Sequence, residues 1–262
     1  MGKANMSKEA TNAAVRNQFG AVAAAYATSA VHASGPDLAA MIDAAGVKGG
    51  ERVLDMACGA GHTALAFAAR GTETVAVDLT PEMLEVAAGL ARERGMANIT
   101  FQQADASALP FAGAEFDLVV TRYAAHHFAE PAVALREAAR VLRPGGRFLL
   151  VDTVSPEDAA LDTFLNAVEL LRDDSHVRDW RASEWVRMLK GAGFEADVRE
   201  RLAVSLDGLS WVARAQTPTS RVAMLKEILA GASPARRAVF EIRDEPWGFS
   251  IPVALVAGRL VD

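Results

Sequence analysis

The stretch that most constrains this chain is residues 52–63, Arg-Val-Leu-Asp-Met-Ala-Cys-Gly-Ala-Gly-His-Thr. Val53 and Leu54 read as the end of a buried strand. Asp55 closes it, Gly59 and Gly61 make a tight turn, and an apolar helix opens near His62. Strand, glycine turn and helix N-terminus together form the nucleotide-binding corner of an open α/β sheet. Glycine there lets the backbone approach a ligand with no Cβ in the way, and the helix start adds unpaired N–H groups and partial positive charge. Gly59, Gly61 and Ala64 also fit the G-x-G-x-x-G/A dinucleotide fingerprint, with Asp78 about where the ribose-binding acid belongs. NAD is therefore a competitor on this stretch alone. Asp55 weighs against it: a pyrophosphate gains nothing from a carboxylate at the strand end, whereas a ligand with an ammonium group does.

The chain alternates strands and helices on both sides of this corner. Residues 1–12 are polar and expected to fray. An alanine-rich helix is expected from Ala13 to Tyr26, with Phe19, Val22 and Tyr26 at helical spacing, and another over 37–45, ended by Gly46. Strands are expected at 73–77, with Asp78 at its carboxyl end, at 99–103, at 116–120 and at 147–152. Helices fall between them: Thr80-Pro81 starts one, and Pro131 to Leu142 forms another that Pro144-Gly145-Gly146 stops. This alternation implies a parallel sheet with right-handed crossovers. Acids follow strands one, two and three at the carboxyl ends, the edge where such sheets bind ligands. Beyond 153 the pattern is less regular. Ser155-Pro156-Glu157-Asp158 carries a capping-box pattern, Ser183 reads as the cap of a helix through Lys190, 196–204 as strand six, 207–240 as two or three short helices, and 249–257 as the last strand.

Composition narrows the function classes. A chain of 262 residues suits one α/β domain with additions: a helical lid over 1–45, a cofactor-binding core over 46–153, and the remaining sheet with a helical substrate cap over 154–262. The net charge of −6 and the lack of a basic block argue against nucleic acid as partner. One cysteine, Cys58, excludes an internal disulfide and a cysteine-based zinc site, and no histidines stand at i, i+4 spacing for a metal. No run approaches a membrane span and no signal-peptide core is seen, so a cytoplasmic protein is expected, as monomer or homodimer.

With these residues in hand, the chain resembles the class I S-adenosylmethionine-dependent methyltransferases. Val53 to Gly61 looks like their first motif, and Asp78 like their ribose acid. Ala104-Asp105-Ala106 looks like their adenine contact, Leu109-Pro110-Phe111 with Phe116-Asp117 like the stretch into strand four, and Arg140 to Gly146 like the junction into strand five. Within that superfamily it is similar to the small-molecule branch that holds the ubiquinone and menaquinone C-methyltransferases. It is closer still to uncharacterised bacterial relatives with Ala-Ala-His-His-Phe and Asp-Ser-His-Val-Arg segments, here Ala124 to Phe128 and Asp174 to Arg178. The quinone enzymes usually carry a polar residue where Ala57 and Cys58 stand, and the 207–240 insertion differs from theirs.

The resemblance implies a Rossmann-like α/β fold: a seven-stranded sheet with its last strand antiparallel and helices on both faces. It implies S-adenosylmethionine as cofactor, held by Tyr26, Asp55, Gly59, Gly61, Asp78, Leu79, Asp105, Ala106 and Arg122. Asp55 would meet the amino end, Asp78 the ribose hydroxyls and Asp105 the adenine amine, with Leu79 and Ala106 about the ring. Methyl transfer is an in-line displacement, and a base is needed only where the nucleophile holds its proton. His126 and His127, after strand four, are the catalytic candidates; His32, His176 and Arg178 are substrate candidates. Trp180, Trp185, Trp211 and Trp247 suggest a partly hydrophobic pocket for a small, aromatic or heterocyclic metabolite. Two other classes stay open at this point. An NAD-dependent oxidoreductase would want a catalytic set such as Tyr-x-x-x-Lys, which is lacking, and a homologue could keep the cofactor for non-methyl or regulatory work.

Overall fold

The computed structural model describes residues 7–261. Strand β1 (Arg52–Met56) lies in the interior of a seven-stranded sheet completed by β2 (Glu73–Asp78), β3 (Ile99–Gln103), β4 (Phe116–Arg122), β5 (Leu142–Thr153), β6 (Phe194–Asp207) and β7 (Gly248–Leu260). The order is β3-β2-β1-β4-β5-β7-β6. The first five strands pair in parallel, and β7 runs antiparallel to both β5 and β6. The strand order reverses at β1/β4, which opens a crevice at the carboxyl ends there. Successive strand residues point to opposite faces, and the buried strands are apolar at nearly every position. Leu54, Val119 and Leu150 pack with Trp185 and Leu189 on one face. Val53, Leu118, Val120 and Leu149 pack with Leu38, Met41 and Phe67 on the other.

The helices before and between the strands are α1 (Lys8–Ala27), α2 (Ala30–Ala33), α3 (Pro36–Ala45), α4 (His62–Ala68), α5 (Pro81–Glu93) and α6 (Pro131–Val141); α7 (Ala159–Arg172) and α8 (Ala182–Gly191) follow β5. Between β6 and β7 lie α9 (Gly208–Arg214), α10 (Thr219–Ala230) and α11 (Pro234–Val239). These three pack with α7 on the outer ends of β6 and β7 around a separate core that includes Leu165, Trp211, Leu225 and Phe240. Among the described residues no helix is long and apolar enough to cross a membrane.

Local expectations fail where a distant partner intervenes. Helix α1 begins at Lys8, not Ala13, because Lys8 and Asn12 dock on Asp105; the rest of the polar stretch, residues 1–6, lies outside the described residues. Ser155 does not cap a helix. It is buried and donates to the Asp179 carbonyl at 2.7 Å, while Asp158 caps α7 by accepting from Ala160 and Leu161 N–H. Ser183 donates to Glu157 at 2.7 Å, and the turn before α8 is closed by Glu184, which accepts from Arg181 N–H at 3.0 Å. Strand β5 starts at Leu142, so Pro144-Gly145-Gly146 lies inside the strand at an irregular register with β4. Strands β6 and β7 each extend beyond the expected limits, and their long mutual pairing carries the α9–α11 insertion.

Candidate active site

Two adjoining cavities open at the carboxyl ends of the central strands. The first spans about 1020 Å³ including its open mouth, and the turn after β1, the ends of β2 and β4, the loop after β3 and helix α1 surround it. Gly59, Asp78, Leu79, Asp105, Ala106, Arg122 and Tyr26 all line it. Gly59 has φ +52° and nothing within 4 Å of where a Cβ would stand, so the backbone is bare toward the space. Ala57 and Tyr123, at the ends of β1 and β4, also hold positive φ, 61° and 51°. Such strain in residues with a Cβ clusters at functional positions.

The acids are set by local hydrogen bonds. Asp78 accepts from Gly59 N–H at 2.8 Å through one oxygen and from Thr80 N–H at 2.8 Å through the other, so it builds the glycine turn from the neighbouring strand. Burial raises its pKa against the pull of those two N–H groups. Asp105 accepts from Ser107 N–H and Oγ on one oxygen; Lys8 Nζ at 3.0 Å and Asn12 Nδ2 at 2.9 Å reach the other from α1. These contacts hold its pKa below the ordinary range in spite of the desolvation that opposes them. Asp55 is buried, lies outside the cavity lining, and leaves Oδ2 without a partner among the described residues. Burial, outweighing the Ala64 N–H and aided by the Asp78 charge, pushes its pKa up to about 7.

Two of the expected cofactor contacts act from behind. Gly61 does not line the cavity. It opens α4 at φ +81°, and a Cβ there would stand 2.7 Å from Ala87 Cβ on α5, so glycine serves helix packing. Arg122 does reach the wall, but its guanidinium is committed to Asp37 at 2.6 Å and to the His32 and Val31 carbonyls. It fastens the segment between α1 and α3 to the end of β4.

The second cavity, about 600 Å³ with its mouth, lies beyond β4 under the cap. Tyr26, His32 and His127 line both cavities. His126 and His127 form a 3₁₀ turn after β4, with ring centroids 4.1 Å apart. Asp152, at the end of β5, takes His126 Nδ1 at 2.6 Å and His126 N–H at 3.0 Å. Burial disfavours the His126 cation, yet the Asp152 carboxylate outweighs it and raises the pKa to about 9. His127 goes the other way: burial first, and then the charge of His126, drive it down. Its Nδ1 lies 3.0 Å from the Ser175 carbonyl, which fixes the proton on Nδ1 and leaves Nε2 as the acceptor. The His126 carbonyl accepts from Val177 and Arg178 N–H, so the Asp-Ser-His-Val-Arg segment docks on the His-His turn. His176 and Arg178 themselves lie outside both cavity linings. His176 bonds Asn166, and Arg178 pairs with Asp162.

Comparison with known proteins agrees with this geometry. Residues 54–150 match the methyltransferase domain family. The chain is 42% identical over 237 residues to the uncharacterized methyltransferase YcgJ of Bacillus subtilis, covering 89% of this chain and 94% of that protein. The crystal structure of YcgJ superposes with a TM-score of 0.82 at 39% identity, over 86% of this chain and 98% of that one. A ubiquinone/menaquinone biosynthesis C-methyltransferase of Azotobacter vinelandii is 36% identical over 130 residues, 48% of this chain and 51% of that protein.

The chain belongs to the S-adenosylmethionine-dependent methyltransferases.

This methyltransferase has the sheet that the sequence implied, seven strands with β7 antiparallel, and the nicotinamide reading of the glycine turn is set aside. The first cavity fits the family's cofactor on chemical grounds. It has a bare backbone at Gly59, a carboxylate at Asp78 on its wall, and an unpartnered buried oxygen at Asp55 behind the same turn. Several site groups escaped sequence reasoning. Asp152 obeys the same strand-end rule as Asp55 and Asp78 and was within reach of it. Asp37, Glu169, Arg172 and Arg214 carry no local signal: the two arginines sit in the last turns of α7 and α9, where a basic residue ordinarily complements the helix dipole.

Proposed function

We propose that this methyltransferase transfers a methyl group to a small, partly apolar metabolite seated in the second cavity, with His127 as proton acceptor. The observation that carries the reading is His127 itself, in the wall common to both cavities with its Nδ1 tied to Ser175. S-adenosylmethionine, when bound, supplies an activated methyl group for in-line displacement. Gly59, Asp78, Leu79, Asp105 and Ala106 hold it in the first cavity, with Asp55 and Gly61 shaping the turn from behind. A carboxylate suits a ribose because it accepts two hydrogen bonds at once.

The histidine pair divides the protonation states, as two close titratable groups in unlike surroundings do. His126 stays an imidazolium on Asp152, and His127 stays neutral with Nε2 open. A depressed pKa keeps His127 free at neutral pH but weakens its pull on a proton. It therefore takes the proton only as the nucleophile attacks the methyl group, when that proton has become strongly acidic.

The first test is parallel calorimetric titration with S-adenosylmethionine, S-adenosylhomocysteine and NAD. Micromolar binding of both sulfur compounds with none of NAD is expected; binding of NAD alone would overturn the cofactor reading. His127→Ala should lower methyl transfer by roughly 10²–10⁴-fold and leave S-adenosylhomocysteine affinity within a few-fold. Full activity in that variant would remove His127 from the chemistry.

A further inference from the structure

The second cavity is lined by two arginines, and one of them lacks a partner among the described residues. Arg172 donates Nε to the Trp211 carbonyl at 3.2 Å, its guanidinium lies 5.1 Å over the Trp211 ring, and its sole ion-pair partner among the described residues is Glu169, at 3.8 Å. Arg214 comes from a different helix, and its buried Nε has no hydrogen-bond partner among the described residues. Both arginines line the cavity together with Tyr26. His126 is matched by Asp152. Burial, then Arg214, hold His32 neutral, and His127 is neutral as described. Two guanidinium groups thus enter a space walled by Phe19, Leu206, Trp211 and Ile251; Glu169 and the neighbouring Asp173 act on Arg172, whereas Arg214 has no ion pair and an unpartnered Nε among the described residues.

A buried guanidinium donor left without an acceptor is costly. Burial, and then repulsion from Arg172, weaken Arg214's hold on its proton, whereas at Arg172 the nearby Tyr26, Glu169 and Asp173 outweigh burial. A ligand that supplies oxygen acceptors and one negative charge removes both costs. A planar carboxylate matches the guanidinium fork, and its single charge pairs the one arginine of the wall that has no carboxylate partner. We infer that Arg172 and Arg214 form the anion-binding end of the substrate site, and that the substrate is an apolar monocarboxylate. Tyr26, in the same wall, adds a hydroxyl to the donor set. The acid head lies at the cap end, and the reacting part of the substrate lies toward His127. This deepens the proposed function and rests on the first cavity being the cofactor's.

The test is calorimetric binding of benzoate, 2-naphthoate and octanoate, each beside its primary amide and with phenyl phosphate as a further arm. The full-length protein is titrated with and without saturating S-adenosylhomocysteine. At least one acid should bind tenfold or more tightly than its amide. Arg214→Gln should abolish that preference, Arg214→Lys should keep only part of it because the charge stays while the fork is lost, and S-adenosylhomocysteine affinity should stay unchanged in both. Equal binding of acid and amide, no binding of any acid, a preference for the phosphate, or an acid preference that survives in Arg214→Gln would each overturn the inference. Loss of S-adenosylhomocysteine binding by the wild type would instead overturn the cofactor reading, since the acid-to-amide comparison without it stands alone.

Discussion

At the scale of single residues, the two motif glycines have different physical reasons. Gly59 is bare toward the cavity, and Gly61 is bare toward α5. Gly61→Ala should therefore destabilise the fold by about 1–3 kcal/mol, through a left-handed φ and an overpacked Ala87 contact. Its effect on S-adenosylhomocysteine affinity should be small in the fraction that remains folded; denaturant unfolding and titration of the same sample separate the two. The histidine pair offers a pH test with a defined sign. His126 has a folded pKa of about 9, above the unfolded 6.5, so its stabilisation is full below pH 6.5 and is lost as pH rises through about 9. His126→Gln should then cost on the order of 2–3 kcal/mol at pH 6 and nearly nothing above pH 9. A constant difference across that range would mean that the ion pair with Asp152 does not set the pKa.

At the scale of elements, α1 is a cover fastened at its start and at its middle. Lys8 and Asn12 hold its start to Asp105, and Gln18 donates to the Ala215 carbonyl beyond α9 at 2.8 Å. Phe19 and Tyr26 hang from it over the two cavities, Phe19 edge-on to His127 at 4.9 Å. The oxygen of Asp105 that meets α1 is the one free of Ser107, and an adenine amine would compete for it. Asn12→Ala should accordingly tighten S-adenosylhomocysteine binding about two- to fivefold, the equivalent of one modest hydrogen bond removed from the competing state. Unchanged or weaker binding would show that α1 and the ligand do not share that oxygen. The amphipathic part of α1 was legible in the sequence. Its extra turn at the N-terminus was not, because the stabilising acid lies 93 residues away along the chain.

At the scale of the whole molecule, the sheet and the cap have separate cores, and the two cavities divide between them. The first is built on β1, β2, β4 and α1; the second leans on α7, α9 and the long β6/β7 pair. Leu225, fully buried in the cap core, tests that division. Leu225→Ala should cost about 2–5 kcal/mol and raise hydrogen exchange in α9–α11 ahead of the sheet, with S-adenosylhomocysteine affinity retained; uniform loosening of the sheet would show one core. The sequence by itself determined the parallel half of the sheet, the switch point and the acids at the strand ends. Those rest on alternation, turn residues and apolar runs, all signals within a few residues of one another. Tertiary structure alone decided which oxygens of Asp78 and Asp105 are already bonded. It also decided that His126 is charged while His127 is not, and that Arg172 has a carboxylate partner where Arg214 has none among the described residues. A side chain's partners and its desolvation are fixed by residues far off in the chain, and the local sequence carries no record of them.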